Sequence, residues 1–549
     1  MRHHFLLIAL AVPGMAGAAV PAVSDQALYL RARSAEAAGD AARASADLAA
    51  LLARNPGDAK LAQRALRQAI VAGDIGLALK TARQLDQAGV LPPDGRLLIV
   101  IEAFRARDWA GVNAAADRLE TERVFGFLAP FVRAWSARAQ EQGDPLGWLE
   151  KARTAPVARA YHAEQRALML VAMGKPAEAL ASLQPPAGPG ITGLSGPGRM
   201  RLADALAGSA AREEALALLK GDDPAYDAAR ATIAGGGRLP QARDPAATGL
   251  ALLLGRAATD FARQHVAPVA LLLARLGTYL APDNGAGWLV TAELLSGLDR
   301  PGGALAALDR IAPADPVAAL GASLRVAVLA TEGDQAQALQ VARALAERNG
   351  SPLAWSRVGD VELSRDRPRE AADAYARALD AVRQAHAPAV TVWRLLLQRA
   401  AAEDAVGNWP AAKEALARAY ALAPNEPAVL NQYGYAQIAR GENVAEASKL
   451  IEQASALSPD DPAITDSLGW ALYLRGRVAD AVPLLEKAAA GAPAESEISE
   501  HLGDSYWAAG RRLEARYAWR AALVTADDKA RPRIAAKIEN GPQPAGVAS

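Results

Sequence analysis

The feature that most constrains this chain is a period. Gly434, Gly469 and Gly503 recur at steps of 35 and 34, Ala447, Ala481 and Ala515 at 34 and 34, and Pro424, Pro459 and Pro493 at 35 and 34. Self-similarity at a fixed spacing near 34 residues means stacked supersecondary units, none of which can bury its apolar face alone. Within each unit a second alanine follows the first by 7 residues (Ala454, Ala488, Ala522), and a large group lies between them (Ile451, Leu485, Trp519). Two helical turns put all three on one stripe, where the small residues let a neighbouring helix approach and the large one fills the gap. The glycines sit in the preceding helix, where glycine costs ~1 kcal/mol against alanine; close packing is therefore their expected reason. Proline ends each unit because it cannot continue a helix.

A small residue, a twelve-residue step, alanine, a large apolar residue, alanine and proline together resemble the tetratricopeptide repeat family. One departure is visible. Gly434 to Ala447 spans 13 residues instead of 12, which puts one extra residue in the turn at Asn443. Carried backwards, the first small position of the second helix falls at Ala412, Ala371, Ala338, Ala304 and Ala270, and further upstream at Ala215, Ala179, Leu146, Val112, Ala78 and Ala44. The resemblance implies an all-α, right-handed superhelical solenoid of about 14 helical hairpins in two lobes. The stretches from Leu28, from Leu271 and from Asp461 are further similar to exported tetratricopeptide proteins of proteobacteria, a group that implies architecture and compartment but no activity.

The segmentation expected from composition is a leader over 1–18, a degenerate N-terminal solenoid over 19–221, a Gly/Pro-rich joint over 222–245, a C-terminal solenoid over 246–530 and a tail without regular structure over 531–549. Residues 1–18 have a basic start, an apolar run from Phe5 to Val12 and Ala16-Gly17-Ala18, the layout of a cleaved secretory signal peptide. That layout predicts export to the periplasm, and the apolar run is too short to span a bilayer. The chain has no cysteine, so disulfides and thiolate chemistry are excluded.

Lys plus Arg and Asp plus Glu both number 60, which leaves no excess charge to attract nucleic acid or anionic lipid. His162, His265, His386 and His501 fall in separate repeats with no metal-ligand spacing and are read as surface or lightly packed residues. Gly188 to Gly193 matches G-x-G-x-x-G, but Pro185, Pro186 and Pro189 surround it and its neighbours are helical, so it is read as a loop. These patterns point to no enzyme, no metal and no cofactor.

The tetratricopeptide resemblance implies that first helices line a concave groove. Its inward positions lie three before, one after and four after each repeat glycine. Carried over, they are Asn431, Tyr435 and Ile438, then Asp466, Trp470 and Tyr473, then Glu500, Asp504 and Trp507. The preceding unit with a strong match offers Ser356, Asp360 and Leu363. Aromatic groups on such a wall suit anchoring, since they bury much area at small entropy cost. The carboxylates would repel an acidic C-terminal peptide, so the expected partner is a basic or neutral protein segment. The alternative expectation is a polysaccharide or peptidoglycan whose sugar rings stack on the tryptophans.

Overall fold

The computed structural model describes residues 23–121, 124–183, 193–221, 223–385 and 389–542. The leader stretch, His386 and all but the last residue of the Gly188–Gly193 motif lie outside them. The described residues form helices and no strands, and no helix among them is long and apolar enough to cross a membrane.

Two compact units divide the chain, one of residues 1–221 with 225–318 and one of residues 222–224 with 319–549. Among its described residues the first holds eight hairpins. They pair α1 (Asp25–Ala37) with α2 (Ala41–Arg54), α3 (Ala59–Ala72) with α4 (Ile75–Gln87), and α5 (Pro93–Arg105) with α6 (Trp109–Glu120). Next come α7 (Ala129–Ala139) with α8 (Pro145–Thr154), α9 (Pro156–Ala172) with α10 (Pro176–Ser182), and α11 (Gly196–Gly208) with α12 (Arg212–Leu218). A single helix, α13 (Pro224–Ala234), precedes α14 (Pro245–Arg263) with α15 (Ala267–Leu280) and α16 (Gly285–Gly297) with α17 (Pro301–Leu308).

The described residues of the second unit add six. These are α18 (Ala318–Thr331) with α19 (Gln335–Asn349), α20 (Pro352–Ser364) with α21 (Pro368–Ala385), and α22 (Ala389–Ala405) with α23 (Trp409–Leu422). Then follow α24 (Pro427–Ile438) with α25 (Val444–Leu457), α26 (Pro462–Leu474) with α27 (Val478–Gly491), α28 (Ser496–Ala508) with α29 (Arg512–Thr525), and a last helix, α30 (Ala530–Asn540).

The marker residues read from the sequence, Ala44 through Ala515, fall one on each second helix. All are buried except Leu146, which is half-buried. The repeat glycines do what their spacing implied. A Cβ on Gly434 would stand 2.8 Å from Ile451, one on Gly469 would stand 2.7 Å from Leu485, and one on Gly503 would run into the Trp519 ring. Each is thus the point where a first helix meets the large residue of its partner. The extra residue in the fourth hairpin of the second unit is Asn443, which takes the left-handed conformation (φ 46°) that asparagine tolerates.

Two expectations need correction. The stretch 222–245 carries α13 and a well-bonded loop, and the division between compact units falls near Ala318. The tail from Arg531 begins inside a helix: Ile534 on α30 is fully buried, and this one anchor together with Ile538 supplies an apolar contact that the proline-rich composition obscured.

The units differ in what lies against their first helices. In the first, α14 packs on α7 and α9, and α15 packs on α3 and α5, so one apolar core runs from Leu28 to Ala281. Trp135 of α7, fully buried, donates its Nε1–H to Gln165 of α9 at 2.7 Å, and its ring lies so close to Gly249 of α14 that no side chain fits there. Tyr279 on α15 donates to Glu102 on α5 at 2.5 Å. Among the described residues of the second unit, helices pack mainly on their neighbours in sequence and on the next first helix.

Candidate functional site

The expected wall residues of the second unit occupy three consecutive first helices, α24, α26 and α28. Asp466, Trp470 and Tyr473 stand at i, i+4 and i+7 of α26, a spacing that puts them on one face. The group that joins them to the neighbouring helices is His501 of α28. Its Nδ1 lies 2.9 and 3.1 Å from the two carboxylate oxygens of Asp466. Its ring stacks on Trp470 at 3.9 Å and 15°, and Trp470 stacks in turn on Tyr473 at 4.7 Å and 17°. Tyr435 of α24 approaches the same imidazole at 6.4 Å and donates its hydroxyl to Glu497 of α28 at 2.5 Å. Glu497 also stands 3.9 Å from His501 Nε2 and is largely exposed.

Burial holds the Tyr435 phenol well above its usual pKa, and the Glu497 carboxylate beside it adds to the shift. Tyr473 is raised for the same first reason, with Asp504 contributing. Both phenols therefore stay neutral, and that of Tyr435 is a donor. Asn431 lies on α24 as well, with its Oδ1 buried and no hydrogen-bond partner among the described residues.

His501 corrects the reading of that residue as surface or lightly packed: it is buried and hydrogen-bonded to Asp466. The signal that would have found it is arithmetic. His501 follows Asp466 by 35 residues, one more than the 34-residue step from Gly469 to Gly503, so it sits on α28 one position after the equivalent of Asp466.

The other end of the expected wall is already engaged. Glu500 accepts from Arg533 at 2.5 Å and Lys537 at 2.6 Å, both on α30. Asp504 accepts from Lys537 at 2.6 Å and from the Trp519 indole at 2.9 Å. Trp507 tilts against Trp519 at 5.5 Å, lies 4.3 Å from the Arg512 guanidinium, and is covered by Gly541 after α30. Charges that were to face a basic partner are thus met inside the chain. Of the nine expected residues on α24, α26 and α28, Tyr435, Asp466, Trp470 and Tyr473 come together around His501, and Ile438 is buried in the core with Ala447 and Ile451. Glu500, Asp504 and Trp507 belong to the joint with α30, and Asn431 stands apart from both.

Further up the same series of first helices, α20 and α22 border a cleft of about 520 Å³ that includes Ser356, Arg357, Trp393 and Gln398. Ser356 donates to Gln398 at 3.2 Å, and Asp360 is held by Tyr375, Gln398 and Arg357 at 2.8 to 3.0 Å. Leu363 packs beside Tyr375 and Ala371. No cluster of three His, Asp or Glu residues suited to a metal ion occurs among the described residues.

No protein-family model matches this chain, and no curated protein does. Solved structures with a similar course include the APC/C hetero-tetramer Cut9–Hcn1, at 12% identity and a TM-score of 0.40, over 94% of this chain and 96% of that one. A tetratricopeptide repeat protein from Parabacteroides merdae is similar over 53% of this chain and 97% of its own, at 13% identity and a TM-score of 0.36. A thermophilic TPR protein from Thermus thermophilus is similar over 34% of this chain and 99% of its own, at 21% identity and a TM-score of 0.30. The repeat assignment rests on the register of glycine, alanine and large apolar residue seen in the chain's own packing.

Proposed function

From the premise that this chain is a helical-repeat protein of the tetratricopeptide type, we propose that it is a non-catalytic scaffold. It would receive a protein or peptide segment along the first helices of the second unit, between the α20–α22 cleft and the cluster of Tyr435, Trp470, Tyr473 and His501. The observation that carries this reading is the contrast in what covers those helices. In the first unit a hairpin of the same chain lies on them, whereas in the second the aromatic residues stay half-buried beside the exposed Glu497. Large rigid side chains held by bonds to their neighbours lose little freedom on binding.

The exposed Glu497 carboxylate favours a basic or neutral segment over an acidic tail. The leader-like N-terminus supports a periplasmic setting, and with it a role in assembly or export at the cell envelope. The glycan alternative is weakened by the Trp470 ring having stacking partners of its own in His501 and Tyr473.

Photocrosslinking in intact cells tests the reading. A photoreactive phenylalanine analogue in place of Tyr473 should capture one dominant protein, and the same analogue at the exposed Leu513 of α29 should not. Glu497→Lys should reduce that capture several-fold. Equal capture from both positions, or a glycan adduct alone, would sink the proposal.

A further inference from the structure

A second site, in the first unit, is indicated by an arginine that lacks an anion. Arg201 of α11 donates one hydrogen bond, from Nη1 to the carbonyl of Pro240 at 2.7 Å. Among the described residues no carboxylate oxygen stands within the 4.0 Å of an ion pair. A guanidinium carries five N–H donors in a rigid fork, so most of its capacity is unused.

The carboxylates around it are committed elsewhere. Asp204, one turn on in α11, is saturated: it accepts from Arg238 at 3.0 and 2.8 Å, from Leu239 N at 2.8 Å and from Gln241 at 2.9 Å. Asp315 accepts from the backbone of Val317 at 3.0 Å and from that of Gly285. Asp283 accepts from Arg243 N at 3.1 Å. Burial lowers the Arg201 pKa from its usual value, and the more distant charges of Asp315, Asp204 and Asp283 only partly oppose that. Arg201 is half-buried, and a cation partly withdrawn from water with no anion in contact leaves part of its solvation unreplaced.

Arg201 borders a cavity of about 250 Å³. Trp135, Leu168 and Leu252 supply an apolar wall, and Thr248 and Gln241 add polar residues to the lining. Because Asp204 pairs with Arg238, Arg201 is the cation of the lining with no carboxylate in contact, and a single such charge suits a monoanion rather than a phosphate dianion. The charge and the apolar wall together define the ligand class, since a small-molecule pocket needs a mostly apolar lining with a few placed polar groups.

We propose that this cavity binds a small organic monocarboxylate. Its carboxylate takes two parallel hydrogen bonds from Arg201, and its short apolar body lies against Trp135, Leu168 and Leu252. A bidentate guanidinium–carboxylate pair is the geometry that the free fork is made for.

Titration calorimetry of the full chain with phenylacetate and with hexanoate tests this, alongside the uncharged phenylacetamide and hexanamide. At least one acid should bind, its amide at least ten-fold more weakly, and Arg201→Met should reduce acid binding by ten-fold or more. Failure of both acids to bind, or binding of amide as tightly as acid, would overturn the proposal. So would unchanged acid binding in a folded Arg201→Met chain. If that variant does not fold, the acid–amide comparison on the unaltered chain decides alone.

Discussion

In the first unit α14 and α15 lie against α3, α5, α7 and α9, whereas in the second the first helices carry mainly their own neighbours. Both units are built from the same hairpin, so the difference does not lie in the repeat. It lies in which residues the first helices present. The first unit presents Leu97, Leu98, Ile101, Phe131 and Trp135, all fully or nearly fully buried. The second presents Tyr435, Asp466, Trp470, Tyr473 and His501, tied to one another by hydrogen bonds and ring stacking. An apolar face must be covered, and the chain covers it with itself. A polar aromatic face whose bonds are already made can stay open to solvent.

The harshest way to break this contrast is to loosen the first unit from inside. Trp135→Ala removes a fully buried ring wedged against Gly249 and leaves Gln165 without its donor. Large-to-small changes of this kind cost about 3–5 kcal/mol. Hydrogen exchange read by mass spectrometry should quicken across α3, α5, α7, α9, α14 and α15 while residues 319–542 keep their protection. Equal loss of protection in both units would mean that they do not differ as described.

A smaller effect sharpens the second unit's side of the comparison. Lys537 is the cation shared by Glu500 and Asp504, all three being buried or nearly so. Lys537→Met leaves Asp504 with the Trp519 indole and Glu500 with Arg533, two carboxylates short of charge. Breaking a buried pair from one side costs about 3 kcal/mol; the remaining Arg533 should hold the loss toward the lower end. Hydrogen exchange of residues 496–540 in rising denaturant would show the destabilisation. A loss below about 0.5 kcal/mol, the range of exposed pairs, would show that these acids are solvated.

The hairpins were legible because their signal is local. Gly434, Gly469 and Gly503 meet Ile451, Leu485 and Trp519 within one hairpin, and a period of 34 records that contact directly. The covering of the first unit was not legible, since it depends on pairs such as Arg275 and Val71, 204 residues apart, which no repeat length encodes. His501 and Lys537 mark the intermediate case. Each contacts a carboxylate about one repeat upstream, at separations of 35 residues for Asp466 and 33 for Asp504. Register alone would have paired them, had α28 been read for its basic residues and 530–540 as a helix. The Arg201 cavity escaped for the opposite reason: an unpaired arginine is invisible until every nearby acid is seen to be taken.

The smallest expected effect is a difference in acid sensitivity. His162 on α9 is largely buried, its Nε2 without a hydrogen-bond partner and 3.5 Å from the Glu150 carboxylate. Burial pushes its pKa below the usual 6.5, Glu150 pulls it partly back, and Arg166 and Arg153 push it down again. The folded chain therefore takes up the proton less readily than the unfolded one. This contribution to stability is intact above about pH 6.5 and is lost as pH falls from there through the folded value. One proton limits the slope to about 1.4 kcal/mol per pH unit. Between pH 7.5 and 5, His162→Leu should flatten the loss of protection in residues 124–183 without altering residues 319–542. An acid slope in 124–183 that survives the substitution would assign the sensitivity to other groups, and with it remove this distinction between the two units.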